Sequence, residues 1–319
     1  MKSPFIYSDD NKRYHTYNYY LRHRFGKKVF KVSLDAGFSC PNRDGSKGVG
    51  GCIYCSDKRS GDFAGNSCDD ISVQFDNVRE VLHKKWSDAV YIPYFQAGTN
   101  TYGDFSRQKE LFTRAVNFKN AVGLSVATRG DCIDERVADL FYELSKDKYV
   151  TVELGLQTSN DLTAQKINRG YLYKTFTEGY MKLKNAGIRV CVHIIDGLPG
   201  ETQDDMLKTA YDLSNLRPDA LKIHLLHVIR GTRLEALLDS GCYIPLTFYE
   251  YIDTVVRQLE LLPPETVIER ITGDGDKSKL LAPLWSRDKI RVLGTIDKEM
   301  ANRITWQGRL FSADDLHLS

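Results

Sequence analysis

The stretch FSCPNRDGSKGVGGCIYC, residues 38–55, decides the reading of this chain. It sets Cys40, Cys52 and Cys55 in a loop rich in glycine and proline. Such a loop can wrap three thiolates around one centre, and Gly45, Gly48, Gly50 and Gly51 let the backbone approach closely. Just upstream, Val29–Leu34 has the composition of a strand. In α/β folds ligands bind beyond the carboxyl ends of strands, where this loop begins. Zinc wants four tetrahedral ligands, and Cys68 as a fourth would give C-x11-C-x2-C-x12-C. A [4Fe–4S] cluster is likewise held by cysteinates, and with three of them one iron stays open for a substrate or cofactor. Spacing alone does not choose between the two.

The chain has 319 residues, 42% hydrophobic and 27% charged. At roughly 150 residues per domain this suggests about two domains, or one large α/β barrel with appendages. No run of about 18 apolar residues occurs, which argues against a spanning helix. MKSPFIYSDDNKRYH at the N-terminus lacks the apolar core of a secretory signal. The net charge is +2, but it is unevenly spread. Residues 1–31 hold Lys2, Lys12, Arg13, Arg22, Arg24, Lys27, Lys28 and Lys31 against only Asp9 and Asp10. The same stretch carries Phe5, Tyr7, Tyr14, Tyr17, Tyr19, Tyr20, Phe25 and Phe30. Basic side chains neutralise phosphates and aromatic faces stack on bases, so nucleic-acid contact is expected there. Seven cysteines, an odd count with no signal peptide, point to a reducing cytoplasm rather than a disulfide scaffold.

Elsewhere the pattern is alternation. Strand-like runs at Val29–Leu34, Ala89–Gln96, Val122–Ala127, Tyr149–Leu154, Ile188–Ile195 and Leu221–Leu226 alternate with segments of helical spacing. The helices are expected at Asp70–Trp86, Ser106–Phe118, Asp134–Lys146, Thr175–Asn185, Thr202–Leu216 and Thr247–Leu262. Asp70 is a candidate N-cap, and Thr175 with Glu178 and Thr202 with Asp205 are candidate capping boxes. Such alternation implies parallel βαβ units, wound into an open sheet or a barrel. Beyond Pro264 it stops, leaving a candidate added strand at Val267–Ile271 and a helical stretch at Trp285–Met300. The organisation read from this is an N-terminal arm (1–28), an α/β body (29–262) and a C-terminal extension (263–319).

Each strand ends in a polar or glycine-bearing segment: QAGTNT (96–101), ATRGD (127–131), ELGLQT (153–158), IIDGLPGET (194–202) and LLHVIRGT (225–232). A zinc ribbon needs none of these, whereas a cofactor spread across a sheet needs nearly all. SLDAGFSCPNRDG, GGCIYC, YFQAGTNTY, SVATRGDC, VELGLQT with INRG, and IDGLPGET follow in order. Together they resemble the radical S-adenosylmethionine (radical SAM) enzymes. The chain is most similar to the YhcC/YtqA type and more distantly to the radical SAM domain of the Elongator catalytic subunit. The resemblance covers essentially the whole chain, strongest from Asp35 to Thr232. Many such enzymes use C-x3-C-x2-C; the eleven residues between Cys40 and Cys52 depart from that, as they do in the Elongator-like branch.

The resemblance implies an α/β fold, a partial (β/α)6 radical SAM barrel with an N-terminal arm and a C-terminal α/β extension. It implies that Cys40, Cys52 and Cys55 ligate a [4Fe–4S] cluster whose fourth iron takes S-adenosyl-L-methionine (SAM). Tyr54 would lie near the adenine, Gly98 and Thr99 would receive the methionine amino group, and Gln157 and Arg169 would contact SAM. Gly197 to Gly200 would border the adenine. Some relatives carry a carboxylate where this chain has Ala127 and Thr128, so that contact is not carried over. Cys191 reads as core, and Cys132 and Cys242 as structural.

Elongator-type relatives act on the C5 side chain of wobble uridine in tRNA, which the basic, aromatic arm with Lys27, Lys28 and Lys31 fits. Residues 284–311, with Arg287, Lys289, Arg291, Lys298, Arg303 and Arg309, could add to the tRNA contact. The acetyltransferase domain of Elongator is absent from this sequence, so remodelling of an existing carboxymethylaminomethyl-type substituent is the expected reaction. Tyr94, Gln96, Glu153, His193, His224 and Arg230 would project near the strand ends toward the substrate. The expected partners are a tRNA anticodon loop and a reductase such as flavodoxin or ferredoxin, with no membrane. A radical SAM enzyme acting on a small molecule such as a porphyrin precursor, and a zinc-bearing nucleic-acid module without catalysis, are the alternatives.

Overall fold

The computed structural model describes residues 5–312 apart from Lys58, Ser60, Asp62, Phe63 and Asp274; Lys2 of the basic stretch lies outside the described residues. In chain order the elements are α1 (Tyr17–Phe25), β1 (Val29–Leu34), α2 (Ile71–Lys85), β2 (Val90–Phe95), α3 (Phe105–Val116), β3 (Gly123–Thr128), α4 (Glu135–Ser145), β4 (Tyr149–Gln157), α5 (Asp161–Lys166) and α6 (Tyr173–Asn185). They continue with β5 (Arg189–Asp196), α7 (Gln203–Leu216), β6 (Ala220–Leu225), β7 (Val228–Ile229), α8 (Arg233–Asp239), α9 (Phe248–Leu261), β8 (Val267–Ile271), β9 (Leu280–Ala282) and α10 (Lys289–Asn302). Short 3-10 turns occupy Gly130–Cys132 and Leu284–Arg287.

The main sheet has the strand order β1-β2-β3-β4-β5-β6-β8, and β7 pairs antiparallel with β9 in a small second sheet. A doubly wound sheet reverses its strand order at a switch point. This order never reverses, which is the progression of a (β/α) barrel left open between its first and last strands. The expected partial barrel is therefore the fold, with β8 as a seventh strand parallel to β6. No helix among the described residues is long and apolar enough to cross a membrane.

The helices start where short polar side chains can take up free backbone N–H groups. Asp70, Asp104 and Asp134 each accept from the first turn of their helix, and Thr202 with Asp205 and Thr247 with Glu250 close capping boxes. The box expected at Thr175 and Glu178 does not form. Helix α6 begins two residues earlier, at Tyr173, and its cap position, Leu172, has no side chain able to accept.

The chain folds as two compact units: Met1–Tyr20 with Gln157–Ile167 and Val192–Ser319, and Leu21–Leu156 with Asn168–Cys191. These divisions do not coincide with the boundaries expected at residues 28 and 262. The reason within the first unit is that residues 13–16 are not a free arm. Ile268 N donates to His15 O at 2.8 Å, Gln307 N to Arg13 O at 2.9 Å, and Thr16 bridges Ile268 in parallel. Lys12 pairs with Asp297 at 2.5 Å, and Tyr14 is buried. In the second unit, Tyr91 and Phe95 of β2 meet Phe75 of α2 and Phe112 of α3, and Phe112 stacks on Phe141 of α4. Val32, Leu34, Leu124, Val126, Val152 and Leu154 share this helix-covered face of the sheet and are wholly buried.

Candidate cofactor site

The cysteine loop leaves β1 in the second unit and is pinned at its root. Gln74 accepts from Asp35 N and donates to Asp35 O, Asn66 O and Asp69 O, each at 2.9 Å. Arg59 and Arg107 donate to Phe38 O and Ala36 O at 2.6 Å. Cys40 O accepts from Arg43 N and Asp44 N, and Cys52 O from Cys55 N, so each cysteine sits at a tight turn. None of the three is in a disulfide, and all are half-buried.

A second loop, Asn168-Arg169-Gly170-Tyr171, clasps the first. Asn42, fully buried, donates to Asn168 O at 2.5 Å and lies 3.7 Å from Cys52 Sγ. Asn168, with a left-handed φ of 55°, returns its own amide to Gly51 O at 2.7 Å and Val49 O at 3.2 Å. Gly170 has φ 82°, and a Cβ there would stand 2.6 Å from Asn42 Oδ1, so only glycine fits the clasp. Tyr171 lies between two guanidinium groups, Arg129 at 4.7 Å and Arg169 at 4.6 Å from its ring centre, and donates to Gly155 O. Arg129 forks onto Asp131 at 2.9 and 3.0 Å and donates to Arg169 O, while Lys47 adds a second cation to Asp131.

This geometry tests whether the thiols suit a metal cluster. Burial pushes the Cys52 thiol up, and the neighbouring Cys40 adds to it, while Arg129 pulls the other way. Burial also raises the Tyr54 phenol, which stands against Cys52 and Cys55. A thiol desolvated in this way binds as a thiolate once a metal cation supplies the missing charge. Cys40, Cys52 and Cys55 on one loop are therefore a donor set that fits a thiolate-held iron–sulfur cluster. Cys68 is exposed in the turn before α2.

Gly98 and Thr99 abut the same loop: Gly98 N donates to Arg59 O and Thr99 N to Ser39 O, both at 3.0 Å. With φ 77° and Phe38 O only 2.4 Å from the position of a Cβ, residue 98 must be glycine. Arg169 is 1% exposed and donates to Leu156 O at 2.5 Å and Tyr171 O at 2.9 Å. It thus braces the end of β4 with part of the fork that was expected to meet SAM.

Lys31, expected on the RNA-binding surface, is turned inward onto the buried Glu153 at 2.6 Å and lies over Tyr94. An ammonium engaged in this way is not available to a phosphate backbone. Lys27 and Lys28 are exposed, as are Arg22, His23 and Arg24. Gln96 is half-buried just after β2.

In the other unit, Gln157 closes β4 with φ 65°. Gly197 O accepts from Tyr243 at 2.8 Å, and Gly200, with φ 83°, faces Lys166. The rings of His193 and His224 are 5.2 Å apart. Arg230 is exposed just after β7, with its N–H donating to Lys279 O at 2.9 Å. Sequence reasoning missed Asn42, Arg129, Asp131 and Tyr171. The signals were present in CPNRDG, ATRGD and INRGY, but they concern contacts between segments far apart in the chain.

Comparison with known proteins agrees with this construction. The radical SAM superfamily model matches residues 43–213, and the radical SAM C-terminal domain model matches residues 218–302. Uncharacterized protein YtqA of Bacillus subtilis is 47% identical over 309 residues, covering 97% of this chain and 96% of that protein. Protein YhcC of Escherichia coli is 34% identical, covering 87% and 89%. The solved structure of Elp3 from the archaeon Methanocaldococcus infernus shares the fold, with TM-score 0.65 and 17% identity over 88% of this chain and 64% of that one. With its cysteine loop, its strand order and both matched domains in agreement, the chain belongs to the radical SAM superfamily.

Proposed function

We propose that this radical SAM enzyme modifies the C5 side chain of wobble uridine in tRNA, remodelling a carboxymethylaminomethyl-type substituent already in place. The [4Fe–4S] cluster and SAM of the family supply, when bound, hydrogen-atom abstraction from an unactivated carbon. The residues of this chain have other tasks. Cys40, Cys52 and Cys55 hold the cluster, the Asn42–Asn168 clasp fixes their loop, and Gly98 and Thr99 form the adjoining wall for the amino acid part of SAM. Tyr54, Gln157, Arg169, Gly197 and Gly200 are assigned to the remainder of that cofactor. A reductase of the flavodoxin or ferredoxin kind delivers the electrons.

The observation that carries the RNA reading is the exposed run Arg22, His23, Arg24, Lys27 and Lys28. No carboxylate occurs between Asn11 and Leu34 to offset it. This run belongs to the unit that holds the cysteine loop. A small substrate such as a porphyrin precursor gives no reason for such a surface, whereas phosphates do. The test is mass spectrometry of tRNA nucleosides from cells with and without the gene. Loss of the gene should leave the carboxymethylaminomethyl nucleoside in place of its successor. An unchanged nucleoside profile would overturn the assignment.

A further inference from the structure

Strands of a parallel sheet are normally apolar on both faces. In β1, β3 and β4 the face opposite the helices instead carries polar side chains, with Ile92 and Tyr94 of β2 between them. Register carries Ser33, Tyr94, Ser125 and Thr151 across the opposite face in one row, with Lys31 two residues before Ser33 and Glu153 two residues after Thr151. Lys31 Nζ spans this face to reach Glu153 Oε1 at 2.6 Å, and Ser125 Oγ donates to the same oxygen at 2.6 Å. Lys31 lies 5.1 Å over the Tyr94 ring. The Glu153 side chain has no exposed surface and that of Lys31 is 15% exposed. A buried ion pair adds little to stability compared with apolar residues of the same size, so the fold alone gives no reason for one here. A second feature marks the same face: Thr151 Oγ1 is fully buried with no hydrogen-bond partner among the described residues.

We propose that Lys31 and Glu153 are the specificity-determining pair, and that they receive a zwitterionic substituent whose ammonium and carboxylate are one carbon apart. This deepens the tRNA reading and rests on it. A group carrying both charges can part the pair without cost in net charge, its carboxylate taking the Lys31 ammonium and its ammonium donating to Glu153. Ser125 keeps Glu153 oriented, and Thr151 offers its hydroxyl to the entering group. A substituent with only the amine would leave Lys31 buried without its partner, and an unmodified uracil would bring no charge to either residue. Sites built around buried charges reject incomplete ligands strongly, whereas apolar pockets do not.

The test uses the cluster-loaded, anaerobically purified protein. Its affinity is measured for anticodon stem-loops bearing carboxymethylaminomethyl-, aminomethyl- or unmodified wobble uridine. The wild type should bind the first roughly 100-fold more tightly than the other two. The double variant Lys31→Met/Glu153→Gln leaves no lone charge behind and should keep its iron content and its binding to unmodified RNA. It should lose the preference, binding all three loops alike. Failure of the wild type to bind any loop would sink the tRNA reading and this pair assignment with it. Binding without preference, or a preference kept by the double variant, would overturn the pair alone.

Discussion

Asp196, at the end of β5, allows a quantitative test of the first unit. It is 1% exposed, and the one hydrogen bond to its carboxyl among the described residues is from Gln258 Nε2 at 2.7 Å, an amide that also donates to Met206 O. Burial pushes its carboxyl up from 3.8 to about 8, with the nearby Glu201 adding to the rise. The folded chain therefore holds a proton that the unfolded chain releases near pH 4. The stabilising effect of the proton is complete below that pH, drains as pH rises and is gone above about 8. At 1.36 kcal/mol per unit, roughly four units amount to about 5 kcal/mol over the whole window and about 2 kcal/mol between pH 6 and pH 8. Asp196→Asn keeps an acceptor for Gln258 but does not titrate. The free-energy difference between variant and wild type, from urea unfolding at pH 6 and pH 8, should thus move in favour of the variant by about 2 kcal/mol. A difference that stays constant across this range would show that Asp196 is ionised in the fold and that its burial has been misjudged.

Gly98→Ala must accommodate a Cβ 2.4 Å from Phe38 O at a left-handed φ, so it should cost more than about 2 kcal/mol and lower iron retention, both measurable on the purified protein. Cys52→Ala should yield a folded but colourless protein, and unchanged iron content would refute its role as a ligand. Cys68→Ala should retain full iron, because Cys68 is exposed in the turn before α2; loss of iron would bring it into the coordination shell. Lys27→Glu with Lys28→Glu should weaken stem-loop binding and reduce the slope of log affinity against log salt by about 2, while SAM cleavage persists. Equal losses in both would indicate damage to the fold instead.

What could be read from the sequence was whatever short-range chemistry determines. Val29–Leu34 is a strand with the expected bounds, and Thr202 with Asp205 forms the expected cap, because both depend on neighbours within four residues. The boxed start at Thr175 failed because the helix begins at Tyr173, which puts Thr175 inside the first turn instead of at the cap. The N-terminal segment shows the same limit: residues 13–16 are held by β8 and by Gln307, some 250 and 290 residues away. The same distance hid Asn42, whose partner is the carbonyl of Asn168.

Lys31 shows what kind of reading would have succeeded. Counted along the chain, it is one more positive charge in a basic stretch. Counted by face, Val-Phe-Lys-Val-Ser-Leu alternates, sending Phe30, Val32 and Leu34 to the helices and Lys31 and Ser33 to the other side. The later strands repeat the rule, with Leu124 and Val126 against Ser125, and Val150 and Val152 against Thr151 and Glu153. A polar face recurring on β1, β3 and β4 is not a solvent face, since Ser125, Thr151 and Glu153 are buried and Lys31 and Ser33 half-buried. It also brings no gain in stability, since the ion pair has to offset its own desolvation. What remains is recognition of something polar, and the charges on Lys31 and Glu153 state which polarity at which end.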